Sequence, residues 1–205
     1  TVAQVSTMVP SSTNAPIYVG TAFFSHELTG IMLGKRWEDS GKILMFFALW
    51  GGIRSLANPR GAMVQGLGRA DLALKWNSSL LLVTIPSLWF GAQFGIEGLA
   101  WTLVAIQCVL FIPGWYVMVR LLCRASLVEY SIAGLRPFLL ASIAFYPAWW
   151  IAMYFEVPAV RLVVGAFIAI PIYLFASYKF NRVWIDLMLE LLGWNCSWKL
   201  KGVKK

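Results

Sequence analysis

Charge is scarce in this sequence: only 13% of its 205 residues are Asp, Glu, Lys or Arg, against about 25% in a typical soluble domain. A water-facing surface could not be covered with so few. Histidine occurs once, as His26, so no multi-histidine metal site can be assembled. The three cysteines, Cys108, Cys123 and Cys196, show neither CxxC nor metal-ligand spacing and read as packing or surface thiols. Acidic residues number nine and are scattered, which leaves no Asp cluster for metal-dependent transfer chemistry. Strict apolar–polar alternation is missing too, which argues against a membrane barrel. The first residues lack the basic stretch of a signal peptide. A chain that starts at Thr1 and enters apolar sequence almost at once reads as an internal fragment.

What is abundant is apolar sequence, 60% of the residues, arranged in continuous runs that approach the roughly 20 residues needed to cross a bilayer as helix. Inside lipid each backbone N–H and C=O must find its partner within the same segment, so continuous runs imply helices. The expected fold is an all-α, polytopic membrane protein with six spans, over 5–24, 42–67, 73–94, 99–119, 132–155 and 160–178. They form one bundle over 1–178. Span one is unusually polar, with Gln4, Ser11 and Asn14 at spacings of seven and three, able either to line a cavity or to hydrogen-bond to neighbouring helices; its small hydroxyls can bond back to the backbone or across to neighbours. The segment 25–34 reads as an interfacial exit in which His26 and Glu27 are solvated. Trp37 to Ser40 read as a turn and helix start, with Asp39 or Ser40 as N-cap. Gly95-Ile96-Glu97-Gly98 reads as a tight turn.

The remainder, 179–205, is amphipathic and basic. Phe180, Val183, Trp184, Leu187, Met188 and Leu191 fall at i, i+3, i+4, i+7, i+8 and i+11, one helical stripe. With Trp194, Trp198 and four tail lysines it is expected to lie on the membrane surface among anionic lipids. Orientation follows from the basic residues. Eleven of the seventeen share one side: Arg69, Lys75, Arg120, Arg124, Arg136, Lys179, Arg182, Lys199, Lys201, Lys204 and Lys205. Only Lys35, Arg36, Lys42 and Arg161 fall on the other. Cytoplasmic loops concentrate Lys and Arg, so both chain ends are expected in the cytoplasm. The net charge of +8 then belongs with lipid headgroups, and nucleic acid is not needed to explain it.

The second run carries the informative residues. A cation at mid-bilayer costs about 2.5–3.5 kcal/mol on insertion scales, so an intramembrane charge is a functional candidate. Arg54 is near the centre of this run. At 100° per residue Asn58, Gly61 and Gln65 fall within about 40° of it, one polar stripe on an apolar helix. Arg60 lies off the stripe near the cytoplasmic end, where snorkelling is the simpler role, though Pro59 can kink the helix and re-aim it. Arg54 admits two readings. Its guanidinium can hold a phosphate or sugar hydroxyls, or it can pair with a helix-breaking carbonyl or with a carboxylate from outside this chain and only hold the bundle together. Glu97, Glu129 and Glu156 fall in loops, so no buried carboxylate for ion coupling is evident.

An ordered set of short motifs adds a resemblance. Ile31-Met32-Leu33-Gly34-Lys35-Arg36-Trp37 is followed by Leu56-Ala57-Asn58-Pro59, then Gly68-Arg69-Ala70-Asp71, then Lys75-Trp76-Asn77, then Phe94-Gly95-Ile96-Glu97-Gly98-Leu99-Ala100. In this order the chain resembles the O-antigen and exopolysaccharide flippases of the MOP exporter superfamily, the colanic-acid-type branch above all. That resemblance implies a fourteen-helix protein of two lobes around a cavity, of which these six spans are similar to the last six. It implies as partners a missing N-terminal lobe of the same protein and an undecaprenyl-pyrophosphate-linked oligosaccharide, moved across the bacterial inner membrane for lipopolysaccharide or exopolysaccharide synthesis. No cofactor is implied. A membrane glycosyltransferase or polymerase acting on the same lipid carrier is the enzymatic alternative, and a structural membrane subunit a third. The enzyme would need acidic clusters or a catalytic base in a long extracytoplasmic loop, and those loops are only a handful of residues here.

Overall fold

The computed structural model describes residues 2–37, 40–66, 68–120 and 126–191, and among them only helices and turns occur. Its elements are α1 (Val2–Phe23), α2 (Ser25–Met32), a 3₁₀ turn (Lys35–Trp37), α3 (Ser40–Gly66), α4 (Ala70–Ala92), α5 (Gly95–Val109) and α6 (Phe111–Gly114). A π-helical segment (Trp115–Arg120) follows, then α7 (Leu127–Ala152), α8 (Pro158–Phe180) and α9 (Arg182–Leu191). Long helices thus occupy all six apolar intervals. Three of them, Gly95–Arg120, Leu127–Ala152 and Pro158–Phe180, are long and apolar enough to cross a membrane by length and composition. The other three are diluted by polar groups: the hydroxyls of α1, Arg54 and Arg60 in α3, and Asp71, Lys75 and Asn77 in α4. Cys123, Arg124, Cys196, Trp194, Trp198, Glu38, Asp39 and the four tail lysines lie outside the described residues.

Local chemistry accounts for the breaks. Gly34, Gly68 and Gly95 sit at φ 86°, 69° and 79°, a left-handed backbone that glycine adopts without penalty, and each marks a joint between elements. Gly95 to Gly98 form the first turn of α5, where sequence reading expected a loop. The run after α5 breaks at Leu110 and continues as the short α6 and then as π-helix. Pro113 explains the break, since it has no N–H for the Val109 carbonyl and its ring crowds that turn. Ser126 caps α7, its hydroxyl accepting from the Glu129 amide at 3.2 Å.

The bundle packs on small residues. Ala141, Ala144, Ala148 and Ala152 form a buried face of α7, a helix packed against both α1 and α8, and such small residues let backbones approach closely. On α8 the buried face is Gly165, Ala169, Tyr173 and Ser177. In α1 the hydroxyls bond backward as expected: Ser12 to the Met8 carbonyl at 2.7 Å and Thr21 to the Ile17 carbonyl at 2.8 Å. Pro16 deprives the Ser12 carbonyl of its helical N–H, and the Tyr173 hydroxyl donates to that carbonyl from α8 at 2.6 Å.

Two expectations are corrected here. In segment 25–34 His26 stays exposed as expected, but Glu27 is not solvated: α2 buries Ser25, Glu27 and Thr29. Glu27 is only 7% exposed, and its Oε1 lies 3.4 Å from the Arg161 guanidinium of α8. A carboxylate that deep needs a counter-charge, and Arg161 supplies it while also donating to the Phe155 carbonyl at 2.6 Å. Nor is the 180–191 stripe wholly turned to a membrane surface. The chain breaks at Asn181 between α8 and α9, and Trp184 is buried, donating its indole N–H to the Thr13 hydroxyl at 3.1 Å. The Asn181 amide donates to the Ser12 hydroxyl. Together these contacts anchor the start of α9 to α1.

Candidate polar cleft between α3, α4 and α5

Arg54, Gly61 and Gln65 of α3 open into one cleft of about 200 Å³. Trp76 and Asn77 of α4 and Gln107 of α5 face it from the other side. The helical repeat explains the α3 contribution: positions 54, 61 and 65 share one face because 3.6 residues complete a turn. Gly61 leaves width, since a Cβ there would meet nothing within 4 Å. The cleft contains one guanidinium, three primary amides and an indole, set among otherwise apolar helices.

Arg54 is exposed, with its Cζ 5.0 Å from the Trp50 ring centroid. That placement steadies the guanidinium by about 0.5–1 kcal/mol. Among the described residues, the ion pairs are Lys42–Glu97, Arg69–Asp71 and Arg161–Glu27. None involves Arg54. Asn58 and Arg60 belong to the α3 backbone, but their side chains lie outside the described ones. The same holds for Gln4 on α1. Ser11 lies buried in the bundle, fully covered, not on an open cavity wall.

Sequence reading missed Gln107 and gave Trp76 and Asn77 no role. Gln107 had a signal, as the one amide in the long apolar run from Leu99 to Val119. A larger, apolar groove of about 510 Å³ runs between α4 and α5, bounded by Val83, Pro86, Phe90 and Val109. Leu110 borders both spaces, so the polar cleft and the apolar groove adjoin. Among the described residues no group of three or more His, Cys, Asp or Glu side chains could hold a metal ion.

Comparison with known proteins gives a consistent set of relatives. The chain is 30% identical over 128 residues to the teichuronic acid biosynthesis protein TuaB of Bacillus subtilis, covering 62% of this chain and 26% of that protein. It is 25% identical over 129 residues to the lipopolysaccharide biosynthesis protein WzxC of Escherichia coli, with 62% and 26% covered. A membrane protein of the cps region of Klebsiella pneumoniae is 21% identical over 131 residues, with 63% and 27% covered. The chain therefore spans about a quarter of the length of the curated relatives it matches. No family model matches, and no solved structure matches. Over about three-fifths of its length the chain is similar to proteins of teichuronic acid and lipopolysaccharide biosynthesis and to a membrane protein of a cps region, in keeping with the resemblance carried by its motifs.

Proposed function

We propose that this chain is one part of a flippase that carries a lipid-linked oligosaccharide across the bacterial inner membrane. The observation that supports it most directly is the polar cleft: an Arg54 with no carboxylate partner among the described residues, faced by Gln65, Asn77 and Gln107, within an apolar helical bundle. A guanidinium holds phosphate through two parallel bonds, and amides match sugar hydroxyls. The described lining of the cleft carries such binding groups and no Asp, Glu or His to act as general acid or base, which favours transport over catalysis. The adjoining apolar groove suits a polyprenyl chain. The opposite wall of the pathway is assigned to helices of the fourteen-helix architecture outside this chain. In cells depleted of the protein, undecaprenyl-linked repeat units should accumulate on the cytoplasmic leaflet, protected in spheroplasts from an added glycosidase. Accumulation of glycosidase-sensitive units would mean that a later step has failed and would refute the flippase reading.

The reading includes six membrane crossings with both ends of the chain cytoplasmic. The ion pairs are compatible with it: Glu27 meets Arg161 and Lys42 meets Glu97, all four placed on the extracytoplasmic side by the basic-residue distribution. A single cysteine at position 35 should react with an impermeant maleimide from outside, and one at position 124 should react only after permeabilisation. The opposite pattern would invert the topology.

A further inference from the structure

Three cations gather at the corner where α7, α8 and α9 meet. The Arg136 guanidinium of α7 lies 5.8 Å from the centre of the Phe180 ring, and the Lys179 ammonium lies 5.9 Å from the same ring. The Arg182 guanidinium lies 5.4 Å from the Tyr178 ring. Among the described residues none of the three is paired with a carboxylate. Aromatic faces attract cations but carry no net charge, so they cannot offset the repulsion of three like charges.

The corner is also held in place. Asn181, between Phe180 and Arg182, is 1% exposed and bonded to Ser12, and Trp184 is bonded to Thr13. The segment from Tyr178 to Arg182 is thereby fixed to α1, with Tyr178, Lys179, Phe180 and Arg182 left exposed. Fixing the residues before a ligand arrives removes part of the entropy cost of binding it. Phe180 and Tyr178 offer apolar contact beside the charges, as an acyl chain next to a phosphate would require.

We propose that this corner binds the phosphate headgroup of an anionic phospholipid from the membrane leaflet that faces it. The counter-charge that the described residues do not provide then comes from the bilayer, and the lipid fastens α9 to the bundle. This inference is independent of the transport reading and would survive its failure.

The test is native mass spectrometry of the intact protein in mild detergent, titrated with phosphatidylglycerol or phosphatidylethanolamine. Phosphatidylglycerol should be retained preferentially. The substitutions Arg136→Gln and Arg182→Gln should each weaken retention about fivefold, the effect expected for one cation at an anionic surface. Arg136→Lys, which keeps the charge, should retain most of the binding. The pair Arg69→Gln/Lys75→Gln removes two cations elsewhere and should leave retention unchanged. If Arg136→Gln does not fold, Lys179→Gln/Arg182→Gln alters only exposed side chains and gives the same reading. Equal retention of the two lipids, equal loss in the distant pair, or displacement by millimolar inorganic phosphate would each overturn the proposal.

Discussion

Replacing Arg54 with alanine should reduce export of surface polysaccharide by roughly 10- to 100-fold, the worth of a hydrogen bond to a charged group, while protein abundance stays normal. Abundance should hold because Arg54 is exposed, stacks on the Trp50 ring and takes part in none of the ion pairs among the described residues. Losing that contact costs no more than about 1 kcal/mol. Arg54→Lys should rescue in part, since an ammonium keeps the charge but not the planar fork that grips phosphate with two bonds. Arg54→Met separates function from packing, because it keeps much of the length without the charge. A tying role for Arg54 predicts that alanine lowers abundance and that methionine restores abundance and export together. Normal export from Arg54→Met would end the proposed contact with substrate.

Helix positions were legible because lipid leaves the backbone few choices, and the six apolar runs coincide with the long helices. The α3 stripe was legible for a related reason: Arg54, Gly61 and Gln65 lie on one element, so the helical repeat alone brings them together. The other wall of the cleft was not. Asn77 and Gln107 reach it only through the packing of α4 and α5, which no periodicity within either helix encodes. The same limit hid Glu27 and Arg161, which are 134 positions apart. Read locally, Glu27 beside His26 looks like a solvated surface pair; packed, it is a buried carboxylate needing the cation on α8. Asn181 and Ser12, 169 positions apart, show it again. The amphipathic stripe through 180–191 predicted a membrane-facing helix, and the structure uses Trp184 from that stripe to anchor the helix to α1.

Among the described glycines, the one whose added Cβ would strike closest should give the largest loss of stability. Gly165 is buried where α8 crosses the start of α2, and a Cβ built there would lie 2.2 Å from Cζ of Phe24, with two more ring carbons at 2.8 and 2.9 Å. No real Cβ sits so close, and the ring has little room to retreat because Phe24 is only 3% exposed. Gly165→Ala should therefore cost about 1–3 kcal/mol despite the better helix propensity of alanine, seen as a lower melting temperature of the protein in detergent. Gly61→Ala makes the contrast: a Cβ there meets nothing within 4 Å, so stability should stay level or rise slightly. The decisive variant is Gly165→Ala combined with Phe24→Leu, which removes the ring atoms that the new methyl would strike. Phe24→Leu alone leaves a void and should destabilise. The double variant should be more stable than the two losses added together, by at least about 0.5 kcal/mol of coupling. Strict additivity would show that α8 does not rest on Phe24 at Gly165, and with that the described seating of α8 against the α1–α2 joint would fail.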